Sequence, residues 1–248
     1  MKYGWFGNYE DWTEALADAK GYDDDEIFEK TKNSIQEVIK GNKKYERDTV
    51  LFARTEYEYH QASLAGLLKV ALSLEKKTIN VLDFGGSLGT LYFALKSFLA
   101  PIQLNWSIVE QEHYVQYGKE NLNCINFYDN INDCMKEQDV DVVIFSSVLQ
   151  YIEKPYETLD SILSQNIQYI ILDRTAVLPD SDRLTIQKVP PSIYDSSYPA
   201  WFLNEHKIFA LFESNGYCLL ADFKKLWVPN IPASSYKGYI YMKEKVHK

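Results

Sequence analysis

Cysteine and histidine are scarce in this 248-residue chain, which contains three of the former and four of the latter. The three cysteines, Cys124, Cys134 and Cys218, are odd in number and too far apart for a disulfide framework or a zinc knuckle. No cluster of aspartate, glutamate and histidine has the spacing of metal ligands. The sequence therefore predicts reduced thiols and no metal site.

Long apolar runs and basic runs are also missing. No stretch approaches the ~20 apolar residues that a membrane helix needs, and the opening MKYGWFGNYEDW lacks the apolar core of a secretory signal. The formal net charge of −9, without any lysine or arginine run, disfavours a nucleic-acid partner. We therefore expect a cytoplasmic protein that binds no nucleic acid and does not insert into membranes. The oligomeric state stays open.

The chain is rich in apolar residues, at 46%, and in aromatic residues, at 15%. From residue 79 onward, short apolar strands alternate with helices, which predicts an α/β fold whose parallel sheet is covered on both faces. The predicted strands cover residues 79–84, 106–110, 124–128, 140–145, 169–172, 217–223 and 236–242. The predicted helices cover residues 88–99, 112–122, 155–163 and 205–214.

Two segments stand outside this alternation. Residues 1–49 are polar with apolar positions at helical spacing, which predicts a helical extension that could close over a site. Residues 174–202 are rich in Pro, Ser and Asp, which predicts an irregular insertion on the substrate side of the sheet. The predicted main domain is thus 50–248.

The stretch VLDFGGSLG at 81–89 places an acid and a glycine turn directly after an apolar strand. A dinucleotide fingerprint starting at Gly85 needs glycines at 87 and 90, where the chain has Ser87 and Thr90. A P-loop lysine is missing as well. The carboxylate of Asp83 beside the turn repels phosphate and suits a cation.

The DFGGSLG segment resembles motif I of class I S-adenosylmethionine (AdoMet) methyltransferases, D/E-x-G-x-G-x-G. WSIVEQ then supplies the acid expected after the second strand, and FSSVLQYIEKP resembles the family's segment after the fourth strand. The resemblance implies a Rossmann-like, seven-stranded, mostly parallel sheet with an antiparallel last strand, AdoMet as cofactor and S-adenosylhomocysteine (AdoHcy) as product. The cofactor-binding residues that it implies are Asp83, Gly85, Gly86, Ser87, Gly89, Glu110, Gln111, Tyr128 and Ser147.

Several flanking motifs, among them GWFGNY and PPSIYDSSYPAWF, resemble a bacterial methyltransferase family whose members often accompany surface-polysaccharide genes. This implies O-methylation of a sugar hydroxyl or a phosphoryl-type oxygen of a capsule or lipopolysaccharide precursor. Two alternatives stay open. The chain could be a non-catalytic AdoMet-binding or interaction protein, or an NAD(P)-dependent oxidoreductase.

The acceptor side is predicted from residues near the expected ligand edge of the sheet. His206, in the first turn of a helix after the 174–202 segment, is the candidate general base. Arg174 follows the fifth strand and suits bidentate binding of a carboxylate or phosphate. The residues predicted to bind substrate are Tyr151, Arg174, Tyr194, Tyr198, Trp201 and His60.

Overall fold

The computed structural model describes residues 2–20, 25–224 and 229–244. Within these ranges the strands are β1 (Gly4–Tyr9), β2 (Tyr45–Arg47), β3 (Val50–Phe52), β4 (Thr78–Phe84), β5 (Gln103–Val109), β6 (Asn126–Tyr128), β7 (Val142–Ser146), β8 (Tyr169–Leu178), β9 (Arg183–Lys188), β10 (Ser197–Asn204), β11 (Tyr217–Lys224) and β12 (Ser235–Lys243). The α-helices are α1 (Trp12–Ala17), α2 (Asp25–Ile39), α3 (Gln61–Leu74), α4 (Thr90–Leu95), α5 (Glu112–Asn121), α6 (Ile131–Glu137), α7 (Pro155–Leu163) and α8 (Glu205–Ser214). Short 3₁₀ turns cover Tyr57–His60 and Leu149–Tyr151. None of the helices seen in these ranges combines the length and apolarity needed to cross a bilayer.

Seven strands form the central sheet in the order β6–β5–β4–β7–β8–β12–β11. The first five run parallel, and β12 is antiparallel to both of its neighbours. This confirms the predicted mostly parallel sheet with an antiparallel last strand. The carboxyl ends of the parallel strands meet at one edge, because Phe84 is paired with Val109 on one side and with Phe145 on the other.

Alternating burial explains why the central strands form the core. Val142 and Ile144 face one hydrophobic cluster, which includes residues of α3, α4 and α5, and Val143 and Phe145 face a second cluster with α7 and α8. All four side chains are fully buried. Strands buried on both faces need continuous apolar sequence, which is what VVIF provides.

Strand β8 is ten residues long and continues past the central sheet. Its last two residues pair in parallel with β10, which is antiparallel to β9, and β9 is antiparallel to β1. We call this three-stranded addition of β1, β9 and β10 the extension sheet. Two expectations are therefore corrected: the 174–202 segment is largely strand, and the N-terminal segment contains strands β1 and β2 besides its helices.

Strands β2 and β3 form a separate hairpin that ends in a two-residue turn at Asp48 and Thr49. Both turn residues have positive φ, 49° and 67°, as a type I′ turn requires. The predicted boundary between residues 49 and 50 falls inside this hairpin. The hairpin lies on the start of α4, where Glu46 accepts a hydrogen bond from the Thr90 hydroxyl.

Candidate functional site

The turn between β4 and α4 requires glycine at defined points. Gly85 and Gly89 have φ of 68° and 89°, in the left-handed region. A Cβ on Gly86 would lie 2.5 Å from Asp83 Oδ2. Ser87 also adopts left-handed φ, 53°, which costs roughly 1–2 kcal/mol for a residue with a side chain. The turn is therefore a backbone cradle beside the carboxylate of Asp83.

Asp83 is the buried acid at the end of β4, with 1% of its surface exposed. Its Oδ2 accepts a hydrogen bond of 3.3 Å from Trp106 Nε1, whereas its Oδ1 is buried and has no hydrogen-bond partner among residues 2–20, 25–224 and 229–244. Burial raises the pKa of Asp83 to about 7. A buried carboxylate oxygen without a partner is costly, and a cationic ligand group at the turn would satisfy it.

Glu110 is the acid that follows β5, on the strand next to β4. Its backbone N–H donates to the Tyr128 carbonyl at 3.1 Å, and the Gln111 N–H donates to Glu110 Oε2 at 2.7 Å. Burial raises the pKa of Glu110, and the backbone N–H groups of Gln111 and Ser87 oppose this rise. The Glu110 carboxylate therefore lies beside the glycine turn, as motif spacing predicts.

Tyr128 contacts Glu110 through its backbone carbonyl and not through its side chain. Its hydroxyl donates to Glu137 Oε2 at 3.2 Å and accepts from Gln138 Nε2 at 3.1 Å, so its side chain belongs to the α6 side. A groove of about 470 Å³ opens next to the ends of β4 and β5. It is lined by Phe84, Val109, Asp129, Asn130, Ile131, Lys154, Glu157, Thr158 and Ser161. Sequence reasoning missed Asn130 and Ile131 of this groove.

The segment after β7 and the bend of β8 form the other half of the edge. Ser147 and Arg174 both have left-handed φ, 59° and 53°, and the β8–β12 register shifts next to Arg174. Arg174 Nη2 donates to Ser146 Oγ at 2.9 Å. Gln150 Nε2 donates to Ser147 Oγ at 3.1 Å and to the Arg174 carbonyl at 3.3 Å. Gln150 Oε1 and Arg174 Nε are buried without a partner in the described part of the chain.

The structure brings together four of the residues predicted to bind substrate. Tyr151 packs edge-on against Tyr198 at 5.3 Å, and the hydroxyls of Tyr198 and Tyr194 are 3.1 Å apart. Gln150 connects this group to Arg174, whose guanidinium lies 4.7 Å from the ring centre of Tyr59. Tyr59 was missed because it lies far upstream, in a 3₁₀ turn without a motif.

Trp201 is not part of this group. In an extended strand, neighbouring side chains alternate between faces, and Trp201 shares its face of β10 with α1 rather than with Tyr198. It stacks on Trp12 with ring centres 6.4 Å apart. The prediction that Trp201 contacts the substrate is therefore not supported by its position.

The candidate base His206 also lies away from the turn. Its side chain is 71% exposed, and Nδ1 is 3.2 Å from Asp180 Oδ1. Its helix begins after β10, whose end is paired with Leu178. Leu178 is four residues past Arg174 along β8, which corresponds to about 13 Å in a strand. His60, in contrast, is fully buried, with Nε2 2.8 Å from Tyr45 OH.

Glu46 is a site residue that sequence reasoning missed. It is buried on the hairpin and accepts hydrogen bonds from the Thr90 hydroxyl and from the Thr49 N–H. Burial raises its pKa to about 7. A second buried acid, contributed by the β2–β3 hairpin, therefore lies at the start of α4, directly after the glycine turn.

No protein-family model matches this chain, and no curated protein sequence does either. Solved structures do match it. An S-adenosylmethionine-dependent methyltransferase from Clostridium acetobutylicum has a TM-score of 0.50 and 10% identity, over 88% of this chain and 99% of that chain. Magnesium protoporphyrin IX methyltransferase from Synechocystis with bound SAM has a TM-score of 0.48 and 14% identity, over 87% and 97% of the two chains. The chain has the class I methyltransferase fold.

LepI in complex with SAM is also similar, with a TM-score of 0.49 and 13% identity over 73% of this chain. The match covers 47% of LepI, so this chain spans less than half the length of that protein. The magnesium protoporphyrin IX methyltransferase and LepI structures were both solved with SAM. At such low identity the comparison establishes the fold, and the function has to follow from the residues of this chain.

Proposed function

We propose that this protein is an AdoMet-dependent methyltransferase that acts on a small-molecule acceptor. The observation behind the proposal is the unpartnered, buried Oδ1 of Asp83 beside a glycine cradle, at the ligand edge of a class I sheet. A phosphate-binding turn would not retain a buried carboxylate at this position.

The residues present fit AdoMet. Asp83 and the 85–89 turn would hold the methionyl end, and Glu110 would hold the ribose hydroxyls. Gln111 and the groove at 129–131 would hold the adenine. When bound, AdoMet supplies a methyl group already activated by its sulfonium centre. The chain then has to orient the acceptor and exclude water, and alignment alone contributes much of the acceleration in such reactions.

The acceptor would enter on the side of Tyr151, Tyr194 and Tyr198. Tyrosine rings offer flat apolar faces together with hydroxyls, which suits a ring-shaped acceptor such as a sugar. The narrower hypothesis, O-methylation of a surface-polysaccharide precursor, rests on the sequence resemblance alone. Cytoplasmic location and the role of residues 1–49 as a lid also stay predictions.

Acceptor-dependent production of AdoHcy tests the proposal. The protein is incubated with AdoMet and a panel of nucleotide sugars and phosphorylated sugars, with Asp83→Asn as the site variant. Asp133→Asn is the control, because Asp133 is an exposed acid on α6 that pairs with Lys136. We expect AdoHcy from wild type and Asp133→Asn, and at least about tenfold less from Asp83→Asn.

Two results would favour the alternatives. AdoMet binding without transfer to any acceptor would indicate a non-catalytic binding protein. Binding of NAD(P) in preference to AdoMet would indicate an oxidoreductase.

A further inference from the structure

Arg174 has hydrogen-bonding capacity that the described residues do not use. Its Nη2 donates to Ser146 Oγ, but its buried Nε–H has no partner in those ranges, and no described carboxylate forms an ion pair with it. Guanidinium N–H groups strongly prefer carboxylate or phosphate oxygens in a paired geometry. Arg174 is half-buried, and its buried Nε–H is therefore a donor that remains available to an oxyanion.

The backbone at Arg174 is held in an unfavourable conformation. A φ of 53° is unfavourable for a residue with a side chain, and such positions persist where the surroundings enforce them. The strand β8 is bulged at this point relative to β12. A bulge changes the direction of a side chain relative to a regular strand. At this bulge the Arg174 side chain contacts Ser146 and Tyr59.

The surroundings of Arg174 are aromatic. The ring of Tyr59 covers the guanidinium at 4.7 Å, and Tyr151 follows directly after Gln150, whose amide donates to the Arg174 carbonyl. Burial raises the pKa of Tyr151 and Tyr194, and the carboxylate of Asp48 raises both further. These phenols therefore stay neutral donors. The carboxylates of Asp173 and Asp48 act on Arg174 electrostatically without forming a hydrogen bond to it. Arg47, which packs on the same Tyr59 ring at 3.9 Å, is already paired with Glu56, so Arg174 is the arginine of this group with a donor left over.

We propose that Arg174 binds an oxyanion of the acceptor, so that the substrate is a small anionic molecule bearing a carboxylate or phosphoryl group. The inference rests on the proposed function only in naming the bound molecule an acceptor. Binding of an anion at Arg174 is measurable without any methyl transfer.

The test compares small anions with neutral molecules of the same shape. Benzoate and phenyl phosphate are titrated against the AdoHcy-saturated protein by ligand-observed NMR, with benzamide and phenyl methanesulfonate as their neutral counterparts. The variants are Arg174→Gln and Arg174→Lys, with Arg183→Gln as the control. Arg183 begins β9, whereas Gln187 of the same strand contacts Tyr151. Arg183 donates to the Gly7 carbonyl, so its loss removes the same charge from a different place.

We expect at least one anion to bind wild type about tenfold more tightly than its neutral counterpart. Arg174→Gln should abolish this preference, Arg174→Lys should retain part of it, and Arg183→Gln should leave it unchanged. The anion that binds more tightly identifies the group as carboxylate or phosphoryl. Should Arg174→Gln fail to fold, Arg174→Lys decides, since a lysine keeps the charge but loses the paired donors.

The inference is wrong if neither anion binds, if the neutral molecules bind equally well, or if Arg174→Gln keeps the preference for anions. AdoHcy binding by calorimetry is measured on the same samples and should change by less than about threefold in every variant. A wild-type protein that binds no AdoHcy would instead contradict the proposed function.

Discussion

The half of the ligand edge that we propose binds the cofactor and the half that we propose binds the acceptor are built in different ways. The cofactor half consists of Asp83, the 85–89 turn and Glu110, which are close in sequence and use backbone geometry beside two acids. The acceptor half combines Tyr59, Arg174 and Tyr198, which come from distant segments and contribute side chains. Strain is present in both halves, since Ser87 and Arg174 each have left-handed φ. The comparison indicates that binding of the cofactor and selection of the acceptor are separable by mutation.

Gly86→Ala should have the largest effect on stability and AdoMet affinity, and this effect should be confined to the cofactor half. The added Cβ would lie 2.5 Å from Asp83 Oδ2, so either the turn or the carboxylate has to move. We expect a loss of about 1–3 kcal/mol in the free energy of unfolding, as for overpacking in a core, and roughly 100-fold weaker AdoMet binding. Urea denaturation and calorimetry measure the two effects.

Gly41→Ala is the matched control for that substitution. Gly41 has positive φ, 79°, and nothing lies within 4 Å of an added Cβ, so alanine there strains the backbone without creating a clash. Gly41→Ala should lower the free energy of unfolding by only about 1–2 kcal/mol, the cost of left-handed backbone for alanine, and should keep wild-type AdoMet affinity. Equal losses of AdoMet affinity in the two variants would show that the Gly86 cradle has no specific role.

Substituting one residue in each half tests directly whether AdoMet binding depends on the cofactor half alone. Glu110→Ala should weaken AdoMet binding by about 10- to 100-fold, because charged hydrogen bonds contribute about 1.5–3 kcal/mol. Tyr194→Phe, which removes only the hydroxyl near Tyr198, should leave AdoMet binding unchanged. Calorimetric titration of both variants measures this. If Tyr194→Phe weakens AdoMet binding as much as Glu110→Ala does, the two halves are not separable.

The pH dependence of stability should reveal the two buried acids near the glycine turn, Asp83 and Glu46. Burial raises the pKa of Asp83 and Glu46 to about 7, from 3.8 and 4.5. Between about pH 4 and pH 7 the folded protein therefore holds protons that the unfolded chain has released, so the free energy of unfolding should fall as pH rises through this range and level off above it.

Asp83→Asn and Glu46→Gln should each flatten this profile and stabilise the protein at pH 8. A gain of about 1.4 kcal/mol would correspond to one unit of pKa difference. Urea denaturation at intervals from pH 4.5 to 8.5 measures the profile. A profile that rises with pH over this range, or one that neither substitution alters, would contradict the raised pKa values.

Ser87→Gly should have the smallest effect. Glycine would relieve the left-handed strain at residue 87 but would increase the entropy of the unfolded chain, so the two terms should nearly cancel, to within about 1 kcal/mol. The Ser87 hydroxyl makes no hydrogen bond to another described residue, so AdoMet affinity should stay within about twofold of wild type. A tenfold loss of affinity would show that the hydroxyl contacts the ligand.

The arrangement of Asp83, the 85–89 turn and Glu110 could be predicted from the sequence because its determinants are local. A strand, an acid and a glycine turn are contiguous at 81–89, and the second acid lies at the end of the next strand. Parallel strands that end at one edge then place both acids together without further information. The groove residues Asn130 and Ile131 were missed because they follow a three-residue strand and have no distinctive pattern.

The acceptor half depends on pairings that a single sequence does not reveal. Strands β1 and β9 pair although most of the chain lies between them in sequence. Strand β10 contains Pro199, a residue type that is unfavourable inside a sheet. Once residues 197–204 are recognised as a strand, the alternation of side chains places Trp201 and Tyr198 on different faces of that strand. His206 lies farther from the glycine turn than predicted for a related reason: β8 and β10 run past the ligand edge, and α8 begins at the end of β10.

The most direct test of the central claim is a calorimetric titration of AdoMet into wild type, Asp83→Asn and the control Asp133→Asn at pH 8. We predict a single site in wild type, the same affinity in Asp133→Asn, and about 10- to 100-fold weaker binding in Asp83→Asn, because the buried carboxylate oxygen of Asp83 then no longer meets the cationic group of the ligand. Wild-type protein that binds no AdoMet, or Asp83→Asn that binds it as tightly as wild type, would contradict this account of the site.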